Sequence, residues 1–441
     1  MKVLSKNSGA QHSALSTQHS ALSTLAEWLG YLEQLHPKTI DLGLERVAEV
    51  KKRLKLNPAF PLVSVAGTNG KGSTCAMLEA MLHAAGYRVG CYTSPHLLAY
   101  NERVRIAKQP ASDAELCASF EQVERARGDI ALTYFEFGTL AAMWHFIRAG
   151  VDVGILEVGL GGRLDAVNLW DADVALITSV DLDHQEYLGE TREAIGYEKA
   201  GIYRAGRPAF CADPCPPARL IAHAGAIGAD LRHYDHDFGY ERANSGWHWR
   251  GRSTRWRDLP LPALAGPYQL RNAAVALAAL EALSSRLPVD AAAVSRGVAG
   301  ARVPGRFQRL AGVPELIVDV AHNPESGRAL ASALDEQPTA GRTLAVVGML
   351  ADKDAAGVFA ALAGRVSAWW TCTPDSPRAR DASSLSDVLR ATLPDAGTTV
   401  SGTPVEALEQ ARSAAREGDR ILVFGSFVTV AAVLDHAASQ Q

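Results

Sequence analysis

The chain has 441 residues, of which 47% are hydrophobic and 21% charged, and a formal net charge of −4. That length allows two or three domains of ordinary globular composition, and the charge excludes a broad basic surface for nucleic acid or an anionic membrane, so an anionic substrate needs local Lys and Arg. No apolar run reaches the ~20 residues of a membrane span. Six scattered cysteines make no disulfide framework and fit a reducing cytoplasm, and Cys211 and Cys215 form a lone CxxxC without a second pair for zinc.

Residues 1–24 read as a disordered leader. QHSALST occurs twice in tandem, over 11–17 and 18–24, and it lacks the basic start and apolar core of a signal peptide. Residues 25–55 read as helical segments around a loop at Pro37. A buried strand over 62–66 then breaks into a glycine turn within VSVAGTNGKGST, residues 63–74. A strand that enters such a turn at a helix start aims several backbone N–H groups at one point. The helix dipole and Lys71 add positive potential there, which makes a phosphate cradle. Its spacing departs from the common phosphate loop, where Lys is followed directly by Ser or Thr. Here Gly72 intervenes before Ser73 and Thr74, and Gly67 stands only three residues before Gly70.

The helix over 72–85 carries Met77, Leu78, Met81 and Leu82 on one face and stops at Gly86. Strands follow at about 88–93, 152–157, 173–179 and 207–212, with helices at 113–127 and 136–149 among them. This alternation predicts a largely parallel sheet with helices on both faces. Residues 230–262 break the rhythm: Trp247, Trp249 and Trp256 sit among Arg250, Arg252, Arg255 and Arg257. An antiparallel hairpin around the Arg-Gly-Arg-Ser turn explains them better than base stacking does, given the net charge. An Ala-rich helix over 268–285 precedes a glycine-rich linker at 297–305. A second alternation follows, with strands near 315–320, 343–348, 367–372 and 420–424. Its helices lie near 324–335, 354–364, 383–392, 404–416 and 427–437. The fold class is therefore α/β: a P-loop mononucleotide-binding parallel-sheet domain over 25–298, then a smaller Rossmann-like α/β domain over 299–441.

Further polar groups lie at strand ends, where open α/β sheets place their ligands. TSPHL, 93–97, offers the hydroxyls of Thr93 and Ser94, which can ligate a hard cation or cap a helix. In LEVGLGGRLDAVN, 156–168, Glu157 closes an apolar strand, where a carboxylate is costly to bury unless a cation meets it. Its GLGG does not match a dinucleotide fingerprint. In SVDLDHQEYLG, 179–189, His184 stands beside Asp181 and Asp183. Hydroxyl, carboxylate and imidazole thus converge on the cradle as a cation site. In EKAGI, 198–202, Lys199 reads either as a counter-ion to Glu198 or, carbamylated, as an oxygen ligand. In the second domain, Arg306 of PGRFQ and Asp319, His322 and Asn323 of VDVAHNP can close on a nucleotide and exclude water.

Taken in order, GTNGKGS, TSPHL, LTYFEFGT (132–139), EVGLGGRLDAVN, LDH, EKAGI, PGRFQ, DVAHNP and FGSF (424–427) resemble the folylpolyglutamate synthase family of the Mur ligase superfamily. The resemblance runs from about Leu25 to the C-terminus. HPKTIDLGLERV and LTYFEFGT look most like its bacterial bifunctional dihydrofolate synthase/folylpolyglutamate synthase branch. It implies a Mur ligase central-domain-like first domain that binds ATP and pterin, and a C-terminal ligase domain. It also implies residue roles. Asn69, Gly70, Lys71, Gly72 and Ser73 match the residues that hold ATP phosphates, and Asn272, Arg306 and Asp319 match further ATP contacts. Thr93, Glu157 and His184 match the Mg2+ ligands; the family often has Ser where this chain has Thr93. Lys199 matches a lysine carbamylated in relatives, and His322 a histidine near the phosphates. Leu132, Thr133, Tyr134 and Phe135, with Leu164, Asp165 and Ala166, match the dihydropteroate pocket.

The implied activity is ATP-dependent ligation of L-glutamate to dihydropteroate and then to reduced folates. Lys71, Lys199, Arg306 and His322 serve as catalytic residues, Mg2+ as cofactor and ATP as co-substrate, with room for a monovalent cation. Neither nucleic acid nor membrane is an expected partner, and a cytoplasmic monomer is expected. Ser426 and the His322 region are candidates for glutamate binding. A cell-wall Mur ligase would need a further N-terminal domain of about a hundred residues, and only about 60 precede the cradle. A nucleotide switch without ligation leaves LTYFEFGT and the Arg306–Asp319–His322 set unexplained.

Overall fold

The computed structural model describes residues 22–38 and 40–440. Most of the leader and its tandem repeat therefore lie outside the described residues. Thr24, read as the leader's end, belongs to the fold: its hydroxyl accepts from the Glu27 N–H and caps the helix Leu25–Gln34.

The chain divides into two compact units. The first combines the described part of Met1–Pro58 with Ala111–Gly150. It holds the helices Leu25–Gln34, Glu45–Leu54, Asp113–Arg127 and Tyr134–Ala149. Trp28, fully buried, packs its ring 5.9 Å from Phe120 and 6.4 Å from Phe137. Buried aromatic area of this kind is what lets short helices from distant stretches hold together.

The second unit, Ala59–Pro110 with Val151–Gln441, carries three sheets. The largest uses β1 (Leu62–Ala66), β2 (Val89–Tyr92), β3 (Val104–Ile106), β4 (Gln109–Pro110), β5 (Val153–Glu157), β6 (Val174–Ile177), β7 (Pro208–Cys211) and β8 (Asp230–His233) in the order β4-β3-β2-β5-β1-β6-β7-β8. All neighbours run parallel except the β2–β3–β4 edge. Val65 of β1 stands level with Glu157 of β5, which sets that carboxylate at the height of the cradle. Buried strands such as Leu62–Ala66 read as continuous apolar runs because helices cover both faces.

The Trp-rich stretch forms a three-stranded antiparallel sheet from β9 (Gly239–Ala243), β10 (Gly246–Arg250) and β11 (Arg255–Leu259). The expected hairpin is its β10–β11 pair, with Trp249 opposite Trp256. Trp247 and Trp249 are buried, and their indole N–H groups donate to Pro260 O at 2.8 Å and Ala274 O at 3.0 Å. The second of these bonds ties the sheet to the Ala-rich helix Tyr268–Leu283, itself almost wholly buried.

The expected linker at 297–305 is a helix in its first part. Ala291–Gly300 is helical, with Gly297 and Val298 buried. Gly297 is not a breaker there: a Cβ on it would lie 2.5 Å from Met81 Cα, so glycine lets this helix close onto Lys71–Ala84.

A six-stranded sheet completes the second unit, with β12 (Gln308–Leu310), β13 (Glu315–Asp319), β14 (Thr343–Val347), β15 (Ala368–Thr371), β16 (Gly397–Val400) and β17 (Arg420–Phe424) in the order β12-β13-β17-β14-β15-β16. Only β12 runs antiparallel. Its strands alternate between two cores: Ile317, Ala345 and Leu422 face one, and Val318, Val346 and Val423 the other.

Candidate functional site

The cradle is built by steric exclusion. Gly67 has φ +150°, and a Cβ on it would meet Thr178 Oγ1 at 1.9 Å. Gly70 has φ +87° and begins the helix Lys71–Ala84, with Asn272 Oδ1 2.6 Å from where its Cβ would be. The loop is tied to the exit of β6: the Asn69 N–H donates to Ser179 Oγ at 3.1 Å, and Thr178 Oγ1 donates to Asn69 O at 2.6 Å. Lys71 Nζ donates to Gly67 O and Thr68 O at 2.9 and 3.1 Å, which holds the ammonium at the loop. Ser73 is buried and accepts from Gln269 Nε2 at 3.4 Å, while Gln269 Oε1 accepts from Asn272 Nδ2 at 2.9 Å. Asn69 to Ser73 and Asn272 therefore gather at one helix N-terminus, a ready anion site.

Glu157 faces this cradle. It is 5% exposed, and its oxygens lie 3.7 and 3.8 Å from the Cβ position of Gly72. Burial pushes its carboxyl up, while Lys71, the Ser94 N–H and Arg306 pull it down. Its Oε2 accepts from that Ser94 N–H at 3.2 Å, and no cation pairs with it among the described residues. Thr93, next in the chain, accepts from Arg105 Nη1 at 3.0 Å. Arg105 is fixed by the buried Glu79 at 2.9 Å. The His184 imidazole is depressed to about 4 by burial, with Lys353, Lys71 and His322 adding to the effect, so at neutral pH it keeps a lone pair for a cation.

Among the described residues no three His, Cys, Asp or Glu side chains gather as a metal cluster. One carboxylate, one neutral imidazole and one hydroxyl beside a phosphate cradle still fit Mg2+. That ion takes few protein ligands and completes its shell with water and substrate phosphates. Cys211 is buried at the end of β7 with its thiol pushed up to about 12, whereas Cys215 is exposed; all six cysteines are free.

Lys199 is not a counter-ion to Glu198. Arg163 takes that carboxylate at 3.0 Å. Lys199 is 4% exposed, and burial together with Lys71 lowers its ammonium to about 7. A substantial fraction is then a neutral, nucleophilic amine at neutral pH. Asp165 is also buried; its oxygens accept from Leu160 N–H at 2.8 Å and Val167 N–H at 2.9 Å, and burial raises its carboxyl to about 7. Leu164, Asp165 and Ala166 thus form one turn in the second unit. In the first unit, Leu132 is buried and Thr133 caps the helix that carries Tyr134 and Phe135. Glu136 accepts from the Thr133 N–H at 2.8 Å and is gripped by Arg46 at 2.9 Å.

Arg306, Asp319 and His322 cluster at the end of β13. The Arg306 guanidinium lies 5.5 Å from the Phe427 ring centroid. Asp319 accepts from the N–H groups of Phe307 at 2.7 Å and Ala321 at 2.8 Å. His322 Nδ1 lies 2.8 Å from Val320 O, and burial with Lys353 lowers the ring to about 4. Ser426 is a helix cap, accepting from the Thr429 N–H at 3.0 Å. The residues that follow His322 meet the cradle directly: Asn69 Nδ2 donates to Asn323 Oδ1 at 3.0 Å and Glu325 Oε2 at 2.6 Å. Sequence reasoning missed Arg105, Glu325 and Lys353. Lys353 is 9% exposed and pairs with Asp183 at 2.7 Å. The switch from the apolar strand at 343–347 to ADKD is its one local signal.

Two family models match the chain: the Mur ligase middle domain over residues 65–280 and the Mur ligase glutamate ligase domain over 305–427. The dihydrofolate synthase/folylpolyglutamate synthase of Escherichia coli strain K12 is 48% identical over 413 residues, 93% of this chain and 95% of that protein. The structure of E. coli FolC in complex with DHPP and ADP superposes with a TM-score of 0.90 at 46% identity, covering 95% of this chain and 99% of that one. A bifunctional folylpolyglutamate synthase/dihydrofolate synthase from Yersinia pestis, complexed with AMPPNP and Mn ion, gives 0.87 at 48% identity, with 95% and 99% covered. Near-complete coverage at this identity joins sequence to fold, and the chain belongs to the dihydrofolate synthase/folylpolyglutamate synthase family of Mur-type ligases.

Proposed function

We propose that this protein is an ATP-dependent amide ligase that adds L-glutamate to 7,8-dihydropteroate, making dihydrofolate, and to reduced folates, making folylpolyglutamates. The observation that carries the reading is the buried, ion-unpaired Glu157 facing a phosphate cradle, with Lys71 and Arg306 both close enough to act on its charge. Support comes from relatives whose structures hold ADP, DHPP, AMPPNP and Mn ion, and from the glutamate ligase model over the six-stranded sheet.

A carboxylate is a poor acyl donor because it would have to expel oxide. A substrate carboxylate oxygen attacks the γ-phosphorus of ATP, the bond to the β-bridging oxygen breaks, and ADP leaves an acyl phosphate. The amine of glutamate then attacks the carbonyl carbon. The tetrahedral intermediate collapses with loss of phosphate, and the nitrogen gives up its proton. Asn69, Gly70, Lys71, Gly72 and Ser73 hold the phosphates, and Asn272 and Asp319 complete the nucleotide contacts. Lys71 and Arg306 offset the charge on the transferred group. His322, on whose ring the Arg306 charge acts, is proposed as a proton acceptor. Thr93, Glu157 and His184 would hold Mg2+, which supplies charge neutralisation at the phosphate oxygens. Lys199, neutral in good part, is proposed to carry a carbamate. Leu132, Thr133, Tyr134 and Phe135, and separately Leu164, Asp165 and Ala166, are proposed as dihydropteroate-binding residues. Residues 25–298 then bind ATP and pterin, and 299–441 form the ligase domain. Six free cysteines support work in the cytoplasm.

The test is ADP release by purified protein with ATP and Mg2+, given dihydropteroate or tetrahydrofolate, with and without L-glutamate. ADP forms only when acceptor and glutamate are both present. Glutamate-independent turnover overturns the ligase reading.

A further inference from the structure

His184 stands in the left-handed region, with φ 51°. A side-chain-bearing residue held there is strained and stays only if its surroundings insist. What insists is Asp183. Its Oδ1 accepts from the His184 N–H at 2.9 Å. Asp183 in turn is gripped by groups from around the six-stranded sheet. Lys353 Nζ donates to Oδ1 at 2.7 Å, Asn323 Nδ2 donates to Oδ2 at 3.1 Å, and His322 Nε2 lies 3.8 Å from Oδ2. Lys353 follows β14 and is nearly buried; its other acidic neighbour, Asp352, stands farther off at 3.7 Å. The same seam carries the Asn69 bond to Glu325 and an ion pair of Arg328 with Asp181 at 2.6 Å.

We infer that Lys353 is a positioning residue: through Asp183 it sets the backbone and imidazole of His184, so the cation site takes its working shape only when the lobe of the six-stranded sheet is seated on the cradle. The inference rests on reading His184 as a cation ligand. It gives that lobe a second task besides delivering Arg306. Phosphoryl transfer waits on closure, because a site with a misplaced imidazole binds the divalent ion weakly. Removing a group that orients a metal ligand typically weakens metal binding 10- to 100-fold.

The experiment measures Mn2+ binding in the presence of ADP, by the paramagnetic resonance of free Mn2+, alongside metal-free ADP binding by calorimetry. Wild type, His184→Ala, Lys353→Met and Lys353→Arg are compared. His184→Ala loses Mn2+ affinity, Lys353→Met loses about tenfold or more with metal-free ADP binding kept, and Lys353→Arg recovers much of it. Normal Mn2+ binding in Lys353→Met beside weakened binding in His184→Ala overturns the positioning role alone. Normal binding in His184→Ala overturns the ligand reading beneath it. A rise in the KM for glutamate in Lys353→Met with Mn2+ affinity intact would show that Lys353 touches the amino acid instead, and also overturns it. Should Lys353→Met unfold, Asp183→Asn carries the same test, with the same weakened Mn2+ binding expected.

Discussion

Replacing Lys199 by Met should make the protein more stable and less active. The ammonium is buried, and its titration moves from the ordinary 10.5 to about 7, chiefly through burial and next through Lys71. Between those values the unfolded chain binds more protons at this residue than the folded one does, so stability rises with pH across that window. At pH 7 the folded state therefore carries a penalty on the order of 4 kcal/mol, at about 1.4 kcal/mol per pH unit. Methionine has similar length and no charge, and removes that penalty. The assay is thermal and denaturant unfolding of wild type and Lys199→Met in carbonate-free buffer from pH 6 to 10. The variant should be the more stable below pH 7, by a gap that narrows steadily toward pH 10, and it should lack ligation that bicarbonate cannot restore. Labelled bicarbonate should place a carbamate on the wild-type lysine. A variant no more stable than wild type at pH 7, or a gap that ignores pH, refutes the argument from burial.

Lys71→Ala should lower ligation by about a thousandfold, the scale for removing a donor aimed at developing charge, with an unchanged circular dichroism spectrum; retained turnover would sink the cradle assignment. Gly297→Val drives a side chain into the backbone of Met81 and should cost about 1–3 kcal/mol. Gly300→Ala, with open space around it, should leave the melting temperature unchanged or raised.

The cradle was legible because its constraints are local. Gly67, Gly70 and Lys71 lie within five residues, and each needs its glycine or charge for the turn it makes. Alternating strands and helices were legible for the same reason. The Asp183–Lys353 pair was not, since its members are 170 residues apart and each is an ordinary surface type in isolation. Gly297 misled: read alone, glycine signals a break, whereas here its missing Cβ lets two helices touch. Glu198 misled too, because Lys199 was its neighbour in the chain and Arg163 was its neighbour in space. The helical unit assembled from Leu25–Gln34 and Asp113–Arg127 showed no seam, because shared apolar faces do not say which helix they meet.

The position of β1 in its sheet sets a clock on synthesis. This strand pairs with β5 and β6 on its two sides. Yet from Ala66 to Val153, where β5 begins, the ribosome must add 87 residues. At ~5–20 residues per second that is roughly 4–17 s. Through that interval the largely apolar run Leu62–Ala66 has been made and neither neighbour has. The nascent chain is then most open to wrong strand pairing, well before any nucleotide has a place to bind.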